Sequence, residues 1–406
     1  MKILLINDHV HFGGGGDAVL NLEKQYLQDL GHQVYVYSWG ATEESNESYA
    51  ICKEPKNRIL SKCIKFFGAR KLTMHFKKYL DLIKPDIIHI HLVSKYPLVV
   101  YPFLKGYKVV QTLHGPNLFC ATSWGCLKRN SGACQMGIGF KCYFNGCCSL
   151  FDTICYKLLS VRLKKSLREN VTYFHCPSRN IYNTAFNLGY RNLVYLPLGI
   201  DANFEKDYSK ELVSNPKQKI ILFIGAMSEV KGVDFLYEAY KKVYLQYINC
   251  KLVFVGGGVK CKYLSDKIKK DGLDKCVEVL GKIDHDKVIN LYKDSYLFVV
   301  PSIWQEQFGL VGPEALSMKL PVVGSNIGGI PEWLHHNEWG YLVAPRDIDA
   351  LADRILFLLN NEDIAKEMGE RGRRFVLQEY STDKYLRSLL NLLESVFNEK
   401  DVFNCY

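Results

Sequence analysis

Two glutamates in the second half of the sequence, Glu306 and Glu314, flank what reads as the start of a helix. The apolar run Leu297 to Val300 has the length of a buried strand. It passes into Pro301-Ser302-Ile303-Trp304-Gln305-Glu306, and Phe308-Gly309-Leu310 then opens a helix carrying Glu314. Backbone amides exposed at a helix start, reinforced by the helix dipole, suit a diphosphate. Glu314, about one turn inside, is placed to accept hydrogen bonds from ribose hydroxyls, and Glu306 on the loop would stand beside a transferred group. The same spacing also describes a capped surface helix with two solvated acids.

A second anion-sized feature follows the first strand, where His11-Phe12-Gly13-Gly14-Gly15-Gly16-Asp17 leads into Ala18-Val19-Leu20-Asn21-Leu22. Gly14, Gly15 and Gly16 let amides approach a phosphate at a helix start. A plain tight turn is the alternative, since the spacing fits neither the Walker nor the dinucleotide fingerprint cleanly. His114 ends a strand just before Gly115-Pro116, which favours chemistry over packing. His89 and His91 alternate with Ile88 and Ile90, so both occupy one face of a strand, where packing or sheet-end hydrogen bonding accounts for them. Asp284-His285-Asp286 imitates a metal-binding acidic triplet. It precedes the helical set Val288, Ile289, Leu291 and Tyr292, so Asp284 is expected to be an N-cap, with no catalytic metal.

The stretch Glu306-Gln307-Phe308-Gly309-Leu310-Val311-Gly312-Pro313-Glu314-Ala315 resembles the paired-glutamate motif of retaining glycosyltransferases of the GT-B fold, specifically glycosyltransferase family 4. Other pieces match in order: Pro85-Asp86-Ile87-Ile88-His89-Ile90-His91, Leu113-His114-Gly115, Leu196-Pro197-Leu198-Gly199-Ile200-Asp201, Lys231-Gly232-Val233-Asp234 and Gly328-Gly329-Ile330-Pro331-Glu332. The resemblance spans nearly the whole chain. It implies two Rossmann-like domains facing across a cleft, and a sugar moved from a nucleotide-diphosphate donor to a glycan or polyprenyl-linked acceptor in surface polysaccharide biosynthesis. It also implies retained anomeric configuration, the acceptor hydroxyl attacking on the face the diphosphate leaves and a leaving-group oxygen taking its proton. Catalytic roles are implied for His114, Glu306 and Lys231. Donor contacts are implied for Gly14, Gly15, Gly16, Lys231, Phe308, Gly309, Leu310 and Glu314, with Lys231 offsetting the charge of the departing diphosphate. No cofactor is required. The sequence departs from the family where an arginine commonly follows the glycine of the preceding strand: Gly225 is followed by Ala226.

The elements that must position these residues are legible as alternation. Short apolar runs at Ile3 to Ile6, Val34 to Tyr37, Ile87 to Leu92, Val109 to Leu113, Val171 to Cys176 and Leu193 to Leu196 are separated by longer amphipathic stretches. That is the pattern of a parallel sheet with covering helices. It restarts at Ile220 to Ile224 after the polar passage Glu205 to Lys219, and continues at Leu252 to Val255, Val277 to Leu280, Leu297 to Val300 and Pro321 to Val323. Two α/β units in 406 residues fit the size at which single cores stop growing, about 250 to 300 residues. We expect an N-terminal acceptor-binding domain over 1–200, a nucleotide-sugar-binding domain over 201–380, and a segment over 381–406 returning to the first domain. The apolar helical face of that segment is Leu386, Leu389, Leu390, Leu393 and Phe397.

Composition narrows the partners. The net charge of +10 favours an acidic partner surface. Lys56, Arg58, Lys62, Lys65, Arg70, Lys71, Lys77 and Lys78 include no acid between them and interleave with Phe66, Phe67 and Phe76, a pattern that suits an anionic bilayer surface. A helix covering the sheet with a solvated basic face is the alternative; nucleic acid fits less well, for lack of a recognition module. No run reaches the ~20 apolar residues of a spanning helix, so a cytoplasmic protein, peripheral at the inner face of the membrane, is expected. Seven of 14 cysteines fall between Cys120 and Cys155. Cys120, Cys126, Cys134, Cys142, Cys147 and Cys148 could hold a structural zinc or iron–sulfur cluster. Reduced thiols and disulfides are the alternatives, because paired Cys-x-x-Cys is missing.

Two rivals stand beside the transferase reading. A nicotinamide-dependent oxidoreductase would use the first glycine turn, but the acid expected ~20 residues later is absent. A non-catalytic homologue that binds nucleotide sugar without turnover is suggested by Ala226.

Overall fold

The structure, a computed structural model, describes residues 1–9, 15–40, 44–45, 48–122, 134, 137–206 and 218–400. The chain divides into two compact units, Met1–Leu198 with Tyr385–Tyr406, and Gly199–Lys384.

The first unit is built on an eight-stranded sheet. Its strands are β1 (Lys2–Asn7), β2 (Gln33–Gly40), β3 (Glu44–Ser45), β4 (Tyr49–Lys53), β5 (Ile87–Leu92), β6 (Lys108–Thr112), β7 (Tyr173–Cys176) and β8 (Leu193–Tyr195), in the order β3-β4-β2-β1-β5-β6-β7-β8. All neighbours are parallel except β3 with β4. Strands such as Ile3–Ile6 are wholly buried, as apolar runs covered by helices on both faces must be. The sequence pattern anticipates six of these strands and misses β3 and β4, which are short and carry no long apolar run.

Helix Gly15–Asp29 follows β1 and turns Val19, Leu20 and Leu27 into the core. Glu23 occupies the same buried stripe at the i+4 position from Val19. The basic stretch forms two helices, Arg58–Phe67 and Arg70–Ile83, separated at Gly68, whose φ of 78° ends the first. The last helix, Thr382–Phe397, belongs to this unit from Tyr385 onward. Its buried face is Tyr385, Leu386, Leu389, Leu392, Leu393 and Val396, whereas Leu390 is half-buried and Phe397 is 37% exposed. The expected apolar stripe is thus rotated slightly, and Phe397 instead lies under the Lys108 ammonium.

The second unit holds a six-stranded, all-parallel sheet. Its strands are β9 (Lys219–Ile224), β10 (Cys250–Val255), β11 (Val277–Val279), β12 (Leu297–Val300), β13 (Val322–Ser325) and β14 (Gly340–Val343), in the order β11-β10-β9-β12-β13-β14. The order reverses between β9 and β12, the kind of switch point outside which open α/β sheets bind ligands. Helix Val233–Gln246 covers this sheet, burying Leu236, Tyr237, Tyr240 and Val243. Asp284 occupies the N-cap position of helix His285–Asp294, but its side chain makes no capping hydrogen bond.

Candidate functional site

In the second unit, the carboxyl ends of β9 and β12 bring Lys231 and Glu306 together. Lys231 closes a short 3-10 turn, Glu229–Lys231, and Gly232 after it has φ 70°. A Cβ at Gly232 would lie 1.8 Å from the carbonyl oxygen of Pro301, so only glycine lets this turn seat against the end of β12. Ile303 N donates to the carbonyl of Val230 at 2.9 Å and locks the two segments. On that frame the Lys231 ammonium lies 2.6 Å from Glu306 Oε1, which also accepts from Ser302 Oγ at 2.6 Å. The Trp304 ring is 5.0 Å from the ammonium.

The pair is asymmetric. The Glu306 side chain is 5% exposed and that of Lys231 is 23% exposed. Burial alone would push the Glu306 carboxyl up; the Lys231 ammonium and the donated hydrogen bonds outweigh it and hold the group below the usual range. The backbone of Glu306 is fixed by Gly328 and Gly329. Gly329 N donates to Glu306 O at 2.7 Å, and a Cβ on Gly328, at φ 62°, would strike that carbonyl at 2.3 Å.

Glu314 lies on helix Val311–Ser317 and is held by other groups. Tyr292 OH donates to Glu314 Oε2 at 3.2 Å. Burial pushes the Glu314 carboxyl up to about 7; the Tyr292 hydrogen bond opposes the shift, and the charge of Asp201 adds to it. Trp333 lies across the helix start, donating Nε1–H to the Phe308 carbonyl at 2.5 Å, and a Cβ on Gly312 would overlap its ring at 2.0 Å. Phe308 itself is buried against Tyr380, so of the expected donor residues it can offer backbone only; Gly309, at φ 81°, and Leu310 are half-buried. A helix of seven residues has little macrodipole. Positive charge at this site therefore comes from Lys231. The Ala226 position is exposed, and nearby Lys260, whose amide donates to Met227 O, pairs with Asp234 at 2.8 Å.

In the first unit, Gly14 lies outside the described residues, and Gly15 and Gly16 are the first residues of helix Gly15–Asp29. His114 follows β6 and is partly exposed, with its ring over Gly16, whose added Cβ would meet His114 Cγ at 4.0 Å. Its Nε2 lies 3.0 Å from His91 Nδ1. His91 and His89 are wholly buried and both face Glu23, residues whose connection to His114 sequence reasoning did not find. An acid on an otherwise apolar helical stripe was the available signal for Glu23.

Among the described residues, Glu23, His89 and His91 form the group whose ligand atoms, within 4.8 Å of one another, are close enough for a metal. That group contains no cysteine. Cys126 lies outside the described residues; Cys120 and Cys134 are half-buried, and Cys142, Cys147 and Cys148 are half-buried free thiols.

Comparison with known proteins agrees with this architecture. Residues 12–204 match the family described as Glycosyltransferase Family 4, and residues 204–375 that described as Glycosyl transferases group 1. The N-acetyl-alpha-D-glucosaminyl L-malate synthase of Bacillus anthracis is 32% identical over 383 residues, covering 92% of this chain and 91% of that protein. An uncharacterized glycosyltransferase of Methanocaldococcus jannaschii is 28% identical over 234 residues, covering 57% of this chain and only 58% of that protein's length. Among solved structures, Anabaena Alr3699/HepE in complex with UDP and glucose superposes with a TM-score of 0.71 at 16% identity, over 97% of this chain and 100% of that one.

Proposed function

The chain belongs to glycosyltransferase family 4, and from that premise we propose that it moves a sugar from a nucleotide-diphosphate donor to a glycan or lipid-linked oligosaccharide acceptor with retained anomeric configuration. The observation that carries the reading is the Lys231–Glu306 pair at the switch point of the second sheet. The partly exposed ammonium offsets charge on the departing diphosphate. Glu306, ionised and clamped, orders that ammonium and lies beside the transferred sugar. Glu314 accepts from ribose hydroxyls, while the amides of Gly309 and Leu310 complete the phosphate contact. The glycosidic bond to the diphosphate breaks as the acceptor oxygen bonds to the anomeric carbon on the same face, and the acceptor proton passes to a leaving-group oxygen. His114 serves as the donor-contacting residue of the first unit, and Gly16 lies in the first turn of its helix beneath that ring.

The test is a thermal-shift screen of UDP-, GDP- and ADP-sugars. One donor class should raise the melting temperature of the wild type, and Glu314→Ala should abolish the rise; a wild type that responds to none removes the donor site. Ala226 favours a second reading, donor binding without turnover. Release of free nucleoside diphosphate in the presence of acceptor glycans separates it from transfer.

The acceptor side of the proposal includes an anionic membrane surface. No helix among the described residues is long and apolar enough to cross a bilayer. Helix Arg58–Phe67 nevertheless exposes Ile59 (75%) and Phe67 (69%) among its basic residues. Beside it, helix Leu150–Asn170 exposes Phe151 (70%), Ile154, Leu158 and Val161, a stripe at i, i+3, i+7 and i+10. The two helices are joined by the Lys62–Asp152 ion pair at 2.5 Å and by the edge-on contact of Phe66 with Tyr156 at 5.0 Å. Exposed apolar rows flanked by lysines match the requirements of interfacial binding. Vesicles containing anionic lipid should co-sediment the protein in a salt-sensitive manner. Phe67→Ser combined with Phe151→Ser should weaken partitioning at least about tenfold, whereas unchanged partitioning would remove these helices from the docking surface.

A further inference from the structure

One face of the first sheet carries polar atoms that no hydrogen bond accounts for. Glu23 projects from helix Gly15–Asp29 toward β5, where His89 and His91, two residues apart on one strand, turn the same way. All three side chains are buried. Glu23 Oε2 lies 3.1 Å from His89 Nδ1 and 3.2 Å from His91 Nε2. Those distances would allow hydrogen bonds, yet none of the three atoms has a hydrogen-bond partner, so it is the directions that fail. Buried polar atoms are almost always paired, and three orphans within 4.8 Å of one another call for a partner they share.

The opposite atom of each group is engaged. Tyr385 OH donates to Glu23 Oε1, His89 Nε2 lies 2.7 Å from Thr112 Oγ1, and His91 Nδ1 lies 3.0 Å from His114 Nε2. Outer groups orient metal ligands in this way, holding the second ring nitrogen of each histidine and the second carboxylate oxygen from behind. The Thr112 hydroxyl also bears on the state of His89. His175 Nε2 is 2.7 Å from the Leu196 carbonyl, which only accepts, and burial pushes the His175 imidazole down to about 4. The His175 proton is therefore on Nε2, its Nδ1 accepts from Thr112 Oγ1 at 2.9 Å, and the hydroxyl oxygen is left to accept from His89 Nε2. Burial depresses His89 as well, so a neutral ring donating from Nε2 leaves a bare lone pair on Nδ1, 3.1 Å from the Glu23 oxygen. Two electron-rich atoms so close need a cation beside them.

We propose that Glu23 Oε2, His89 Nδ1 and His91 Nε2 are the protein ligands of a divalent transition-metal ion, zinc being the best match. Two imidazoles and one carboxylate suit zinc; magnesium and calcium take oxygen ligands, and the group has no thiolate to favour copper(I) or an iron–sulfur cluster. Ligand atoms of a tetrahedral zinc lie about 3.3 Å from one another, close to the 3.1 and 3.2 Å found here. No fourth side chain among the described residues joins the group, so water completes the shell. The role is structural, because ligands this buried admit no substrate: the ion ties helix Gly15–Asp29 to β5 and, through Tyr385, to the last helix. His91 bound through Nε2 keeps its proton on Nδ1 and donates it to His114 Nε2. The site stands whether or not His114 touches the donor.

The test uses full-length protein expressed with zinc. X-ray absorption at the zinc edge should show a bound equivalent with nitrogen and oxygen at about 2.0–2.2 Å, whereas zinc held by the cysteines would show sulfur at about 2.3 Å. Stripping the metal with a chelator should lower the melting temperature, and zinc, but not magnesium, should restore it. Cobalt(II) titration reads the affinity through visible bands that lack sulfur charge transfer. Glu23→Gln should weaken that binding by more than about a hundredfold, and Tyr385→Phe, which keeps every ligand, by about tenfold to a hundredfold. A wild type that carries no zinc and takes up none, a zinc shell made of sulfur alone, or cobalt binding unchanged in Glu23→Gln overturns the proposal. The first two need no variant to fold.

Discussion

Lys231→Met is expected to abolish transfer and to destabilise the second unit in a pH-dependent way, because it leaves Glu306 ionised, buried and without a counter-charge. Breaking one side of a buried pair costs about 3–5 kcal/mol, and loss of the leaving-group cation should lower kcat by at least about a hundredfold. The pH sign follows from Glu306. In the wild type its carboxyl is held low by Lys231 despite burial, so the pair contributes stability above the unfolded carboxyl value of 4.5 and loses it as pH falls through the lower folded value. In Lys231→Met, burial is opposed only by the weaker contributions of Ser302 and Trp304, and the carboxyl rises above 4.5. The variant should therefore be least stable at pH 8 and recover as the pH is lowered toward 5. Glu306→Gln is the milder lesion, since the freed ammonium is partly exposed and can be hydrated. The double variant Lys231→Met/Glu306→Gln should regain most of the stability at pH 8 and none of the activity. Denaturant melts at pH 5 and 8 measure this directly. Equal, pH-independent losses for both single variants would contradict the asymmetry.

Glu314 should make nucleotide binding depend on a single proton. Its carboxyl, raised to about 7 chiefly by burial, is largely protonated below that pH. Two ribose hydroxyls both need acceptors, so the nucleotide selects the ionised form. The Kd of the cognate nucleoside diphosphate should rise about tenfold for each pH unit below 7 and be level above it. Glu314→Gln should bind more weakly and show no such slope. Stability runs the other way. A carboxyl whose folded value exceeds its unfolded value of 4.5 takes up protons on folding, so wild-type stability declines as pH rises from about 4.5 to about 7 and is then level. Glu314→Gln should be the more stable protein at pH 8, by roughly 3 kcal/mol, and indistinguishable near pH 4. Titration calorimetry and thermal melts across pH 4 to 8 provide both readouts, and a pH-independent Kd would separate Glu314 from the nucleotide.

Much of this protein was legible in its residues. Long apolar runs declared the central strands, because a strand buried on both faces must be apolar at nearly every position. The edge and near-edge strands β14 (Gly340–Val343) and β4 (Tyr49–Lys53) were not read from the pattern. The glycines of the second unit were visible as letters but not as reasons. That Gly232 must lack a side chain is a fact about where Pro301 O lies, and that Gly328 must is a fact about Glu306 O.

What the sequence determined by itself was the set of charged and apolar residues at strand ends, since alternation and local spacing are properties of neighbours in the chain. What only the tertiary structure decided was which of them share a proton or a charge. Lys231 and Glu306 are 75 residues apart, and Tyr385 and Glu23 are 362 apart. The ionisation of Glu306, Glu314 and Glu23 is set by burial and by partners that arrive from distant segments, and no local pattern carries that information. One sequence spacing, two glutamates eight residues apart, became two acids with opposite shifts because both are buried and folding gave a counter-charged ammonium to only one of them.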